Sequence, residues 1–190
     1  MCTTILSFSY LITGCQSNKV MKEEEIYTFL ETCFENYYKN YDINIHQILH
    51  DFEKELIAEG HLKDTSGQAY KDLLVYLNQN LYFQTPLKKG DFNNVVLYKN
   101  PTQVYDCALD IFSLDSTSIM DTHFAKIQTE IQQTITTQPE VSIHYFFDLY
   151  TSRLTNEELE SPYIKQTIQL LLYRWYFKSK YDREIPIDQE

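Results

Sequence analysis

The chain has 190 residues, with 27 acidic against 16 basic side chains and a net charge of -11 at neutral pH. That length fits one compact domain with a real core. The acidic balance excludes nucleic acid, whose phosphates demand a basic stripe, disfavours electrostatic docking on anionic lipid, and favours a basic partner.

The first element in chain order is the apolar stretch Ile5-Leu6-Ser7-Phe8-Ser9-Tyr10-Leu11-Ile12, closed by Thr13-Gly14-Cys15. It is too short to span a membrane, which takes about 20 apolar residues. Small residues directly before a cysteine resemble the lipobox of bacterial lipoproteins, where a signal peptide is cut away after the thiol has been joined to diacylglycerol. The resemblance covers residues 1 to 15. It implies a signal peptide over 1–14, lipid on Cys15, a tether over 15–22 and membrane association through that lipid. Gln16 stands where many Gram-negative lipoproteins held in the inner membrane carry Asp, which implies the outer membrane of the cell envelope. Glu23-Glu24-Glu25 is similar to the acidic run of surface-displayed Bacteroidota lipoproteins, although it lies further from the cysteine. The first turn of a helix explains the same three residues, because carboxylates complement the helix dipole. The alternative for the whole stretch is a buried N-terminal strand, since Thr, Ile, Phe and Tyr suit strands. With Cys2 removed and Cys15 acylated, as the resemblance implies, Cys33 and Cys107 remain, and an oxidising envelope permits one disulfide. Two buried free thiols would leave the same sequence.

The domain is expected over residues 23–180 as a mainly α, irregular bundle of about six to seven helices. Ile26, Phe29, Leu30, Cys33, Phe34 and Tyr37 recur at helical spacing and predict a helix over Glu23 to Tyr41. Asp42 can cap a second helix from Ile43 to Glu59, which Gly60 stops. Ser66 can cap a third, with Ala69, Leu73, Leu74 and Leu77 inward. From Asn78 to Asn100 the period disappears around Pro86 and Gly90, which marks a central irregular loop. Leu81-Tyr82-Phe83 and Val95-Val96-Leu97-Tyr98 are rich enough in strand formers for a small hairpin there. Asn100-Pro101 opens a helix through Phe112, and another is expected from Ser116 to Thr134. Beyond Pro139, Val141 to Leu154 reads as strand or helix, and its helical neighbours favour helix. Ser161-Pro162 opens a last helix through about Lys178, apolar almost all round and therefore central. Residues 181–190 read as a flexible tail. The Leu62-Lys63-Asp64-Thr65-Ser66-Gly67 turn and the Pro162-Tyr163-Ile164-Lys165 helix start are similar to small lipoproteins of Bacteroidota, which bring no active residues with them.

His46-Gln47-Ile48-Leu49-His50 has metal-site spacing, and Asp42 and Glu53 extend its face, so that zinc could find three or four ligands. The zinc-protease motif fails here because Gln47 stands where the general-base Glu belongs, and an amide cannot take the proton of water. The plainer reading is a solvated stripe opposite Ile45, Leu49 and Phe52. No nucleophile elbow or Gly-rich phosphate loop is present, and no cofactor is expected. A Cys107 dyad with His123 or His144 is conceivable, but Cys107 lies on an apolar face. The 16 Tyr and 11 Phe are the remaining signal. Tyr145, Phe146 and Tyr150, with Tyr173, Trp175 and Tyr176, could line a peptide or glycan groove, although core packing explains them as well. The chain thus reads as an envelope lipoprotein that binds a protein partner without catalysis. An inhibitor or immunity-type lipoprotein masking a basic enzyme surface is the alternative, and a metal-dependent enzyme using His46 and His50 is the third reading.

Overall fold

The computed structural model describes residues 21–80, 83, 93–99, 103–138 and 140–184, with the backbone alone from 178 to 184. Cys15 and its lipobox, Leu81-Tyr82, Asn100-Pro101 and the tail beyond Glu184 lie outside them. Among the described residues the chain is mainly α, an irregular bundle of nine α-helices and one 3-10 turn, without a strand. No helix among them is long and apolar enough to cross a membrane.

The first helix, α1 (Glu23–Lys39), carries three glutamates in its first turn and Lys39 in its last, the charge order that the helix dipole favours. In α2 (Ile45–Ala58) the cap is Asn44, whose side chain accepts the Gln47 N–H at 3.1 Å. Asp42, the expected cap, has φ 58° and belongs to the turn that ends α1. A capping residue needs extended backbone, which Asn44 has and left-handed Asp42 lacks. Gly60, at φ 77°, closes α2 as expected. Its N–H reaches the Ile57 carbonyl at 3.0 Å while the His61 N–H reaches Leu56 at 2.8 Å, the paired bonds of a Schellman stop. Ser66 caps α3 (Gly67–Asn80) through the Ala69 N–H at 3.2 Å.

Val95 to Tyr98 lie in a short helix, α4 (Asn94–Tyr98), and not in the strand of a hairpin. The Asn93 side chain accepts both the Val95 and Val96 N–H groups, at 2.9 and 3.3 Å, which gives a local helical start that outweighs β propensity. Next come α5 (Val104–Phe112), ended by left-handed Ser113, and α6 (Ser116–Met120), capped by Asp115. The single helix expected from Ser116 to Thr134 is broken after Met120. Thr122 donates to the Ile119 carbonyl at 2.8 Å and accepts from the Ala125 N–H at 3.2 Å, so one hydroxyl ends α6 and caps α7 (His123–Thr137). The ambiguous aromatic run forms α8 (Ile143–Arg153), capped by Ser142. Following the 3-10 turn Glu158–Glu160, α9 (Pro162–Glu184) runs past both the expected end at Lys178 and the start of the expected tail at Tyr181. No glycine or proline interrupts it before Pro186. These extra breaks raise the helix number above six to seven.

The core gathers on α9, which packs against α1, α2 and α4, while α3 pairs with α8 and α5 with α1. A disulfide between Cys33 and Cys107 joins α1 to α5. Ile164, Ile168 and Leu172 of α9 are wholly enclosed, and Tyr163, Leu170 and Tyr173 are nearly so, which is why that helix is apolar around its circumference.

Candidate functional site

The two histidines of α2 diverge. His46 Nε2 lies 2.5 Å from Glu35 Oε1 of α1, and its Nδ1 lies 2.7 Å from the Gln166 amide of α9. Gln166 Nε2 also donates to Glu31 at 3.1 Å, so Nδ1 accepts and the His46 proton sits on Nε2, facing Glu35. His50 is exposed and meets Glu53 at 3.8 Å. The stripe is not a uniformly solvated face, because Glu53 is 7% exposed and accepts from Tyr70 at 2.8 Å, and Gln166 and Gln169 of α9 cover that side. Asp42 stays in its turn before α2, apart from Glu53 and His50. Among the described residues no group of three or more His, Cys, Asp or Glu side chains could hold a metal ion. The four candidate ligands are therefore not brought together.

The conceivable cysteine dyads dissolve for a similar reason. Cys107 is held in the disulfide, His123 Nδ1 lies 2.5 Å from Glu158, and His144 Nδ1 lies 3.2 Å from Asn78. Glu158 also accepts from the Thr155 N–H at 2.8 Å; its carboxyl, although partly desolvated, is held below its ordinary value by that bond and by His123.

The aromatic residues divide into two sets. Tyr173 is buried between Phe52 and Phe177 and its hydroxyl accepts the Asn93 N–H at 2.9 Å. Trp175 and Tyr176 pack on Phe83, and Trp175 also meets Phe147 edge-on. Tyr145 reaches the Thr134 hydroxyl at 2.9 Å. These four serve packing. Phe146 and Tyr150 instead line a groove of about 480 Å³ between α5 and α7, floored by α9. That volume lies within the range of pockets that hold small ligands or side-chain anchors.

The groove contains groups that sequence reasoning missed. Met120 and Ile135 on its walls are 45% and 38% exposed, although helical periodicity places both inward. Tyr105 and Tyr163 interact on its inner surface, where burial raises both phenols. Gln128 donates to the Tyr150 hydroxyl at 2.8 Å; burial pushes that phenol up to about 12. Arg174 brings the one formal charge among the lining residues. Its Nε donates to the Val96 carbonyl at 2.8 Å, and its Nη2 donates to Tyr38 at 3.2 Å and to the Lys99 carbonyl, so its contacts tie α9 to the end of α4. The signal for it was legible: a single cation inside the apolar run from Ile168 to Phe177. No protein-family model, curated protein or solved structure matches the chain.

Proposed function

We propose that this protein is a bacterial lipoprotein of the cell envelope, anchored in the outer membrane through lipid on Cys15, that acts as a non-enzymatic binding or scaffold module for a protein partner. The observation that carries the binding reading is the groove between α5 and α7. Its walls hold large apolar side chains in contact with water, Met120 and Ile135 foremost, where a bundle of this size has core enough to cover them. A buried anchor from a partner would occupy it, and aromatic and methionine side chains are the usual lining of such anchor pockets. The Ile12-Thr13-Gly14-Cys15 run supports the anchoring reading.

The test compares partners crosslinked in cells by the wild type and by Ile135→Glu, a substitution at an exposed position that places a charge on the groove wall. Loss of a wild-type partner with unchanged folding is expected; an identical set of partners would refute the groove as the binding site. Labelling with a palmitate analogue should mark the wild type and not Cys15→Ala. The acidic surface favours a second reading, an inhibitor that masks a basic enzyme, for which binding would weaken steeply with added salt.

A further inference from the structure

The charge of the groove is opposite to that of the chain. Among 27 acidic and 16 basic residues overall, the groove lining includes no acid and one base, Arg174. The guanidinium is partly buried and its contacts are neutral: two backbone carbonyls and the Tyr38 hydroxyl. No carboxylate of the described residues lies within ion-pairing distance of it. A half-buried cation whose contacts among the described residues are all dipoles attracts an anion, and with its Nε and Nη2 donors taken by Val96, Tyr38 and Lys99 the guanidinium keeps its Nη1 N–H groups for a carboxylate.

The rest of the lining restricts what bears that carboxylate. The floor along α9 runs from Tyr163 to Arg174. At 1.5 Å per residue this is about 16 Å, the span of roughly five residues of extended peptide. Apolar walls alternate with polar positions. The Thr129 and Thr167 hydroxyls donate to the Ala125 and Tyr163 carbonyls of their own helices, and the Gln128 amide donates to Tyr150, so the oxygens of all three are left to accept. A hydrocarbon chain would desolvate those oxygens without offering them a donor, whereas the backbone N–H groups of a peptide would satisfy them. We infer that the groove receives the C-terminal segment of a protein partner, with its terminal α-carboxylate on Arg174 and apolar side chains against Met120, Ile131 and Ile135. A terminal carboxyl is ionised throughout the neutral range, so the contact needs no modification of the partner. The inference rests on the groove being the binding site proposed above.

The experiment offers the full chain to peptides immobilised through their N termini, with the last positions varied among Leu, Ile, Val, Phe and Tyr, each made with a free carboxylate and as the amide. Among retained sequences the free acid should bind about tenfold or more tightly than the amide, the size of effect expected for a charge-assisted pair. Arg174→Gln should erase that preference, and Ile135→Glu should weaken both forms. Because Arg174 also secures α4, the acid-against-amide comparison on the wild type is the deciding measurement. Equal retention of acids and amides overturns the carboxylate contact and leaves the groove intact as an apolar site. Retention unaffected by Ile135→Glu, or no retention at all, overturns both. Dodecanoate binding more tightly than every peptide assigns the groove to a fatty acid and overturns the peptide occupant.

Discussion

Two residues one helical turn apart in one sequence motif can have very different consequences, and His46 and His50 show why. Spacing puts them on one face of α2, but α9 lies over only part of that face. His46 accepts from buried Gln166 and donates to Glu35, so removing it leaves the Gln166 amide with Glu31 alone and loosens the α1–α2–α9 junction. We expect His46→Ala to cost about 1 kcal/mol and His50→Ala under about 0.5 kcal/mol, measured by urea unfolding; equal effects would show that the Gln166 contact contributes nothing. Gly67 is constrained more severely. A Cβ built there would stand 2.2 Å from the Asn156 carbonyl oxygen, and its N–H donates to Glu160, which also neutralises the start of α3. Gly67→Ala forces a methyl group against the Asn156 carbonyl, just before the 3-10 turn that meets α3. A loss of about 1–3 kcal/mol is expected from such overpacking. An unchanged melting temperature would mean that the turn yields freely.

At the scale of elements, sequence revealed what depends on periodicity and hid what depends on a single hydroxyl or amide. The amphipathic stripes of α1, α2 and α3 and the all-round apolarity of α9 are patterns over many residues, and they placed those helices and the centre of the bundle. The break between α6 and α7 rests on Thr122 alone, and α4 rests on Asn93 outweighing four strand-forming neighbours. Neither residue differs in sequence from a solvent-facing Thr or Asn. The groove was hidden for a related reason: Met120 and Ile135 obey the helical period of an inward face, and only the tertiary arrangement shows that the described residues leave both partly exposed. Phe146 and Tyr150 were legible as aromatic, but their separation from Trp175 and Tyr176 depends on which side of α9 each helix meets. The disulfide belongs to this scale as well, since it fastens α5, which otherwise lies mainly on α1, across 74 residues of chain. Closing so long a loop restricts the unfolded state by about 4 kcal/mol at most in the chain-entropy model. Reduction should therefore lower the urea midpoint and loosen the α5 wall of the groove first. Hydrogen exchange that is uniform over α1, α5 and α9 after reduction would contradict this ordering.

The molecule as a whole has a core stocked with phenols, and this sets how its stability depends on pH. Tyr38 is wholly enclosed and Tyr150 nearly so; burial pushes each up to about 12. Burial also raises Tyr27, Tyr70 and Tyr163, with carboxylates adding to it at two of them: Glu23 accepts from Tyr27, and Glu53 accepts from Tyr70. In the unfolded chain a phenol titrates near 10. Because the folded values lie above the unfolded one, this contribution to stability is fully present below pH of about 10 and is lost progressively as pH rises toward and through the folded values. Each buried phenol can remove about 1.4 kcal/mol of stability per pH unit in that window, so several acting together exceed the usual stability of a domain of this size within two units. The expected result is a urea midpoint that is flat from neutral pH to about 9 and falls steeply above 10. Tyrosinate absorbance should show two populations, the exposed phenols titrating with the helices intact and the buried ones ionising only as helicity is lost. Tyrosinate formation complete before any loss of helicity would show that the phenols beneath α9 are open to water, and the enclosed core described here would then be wrong.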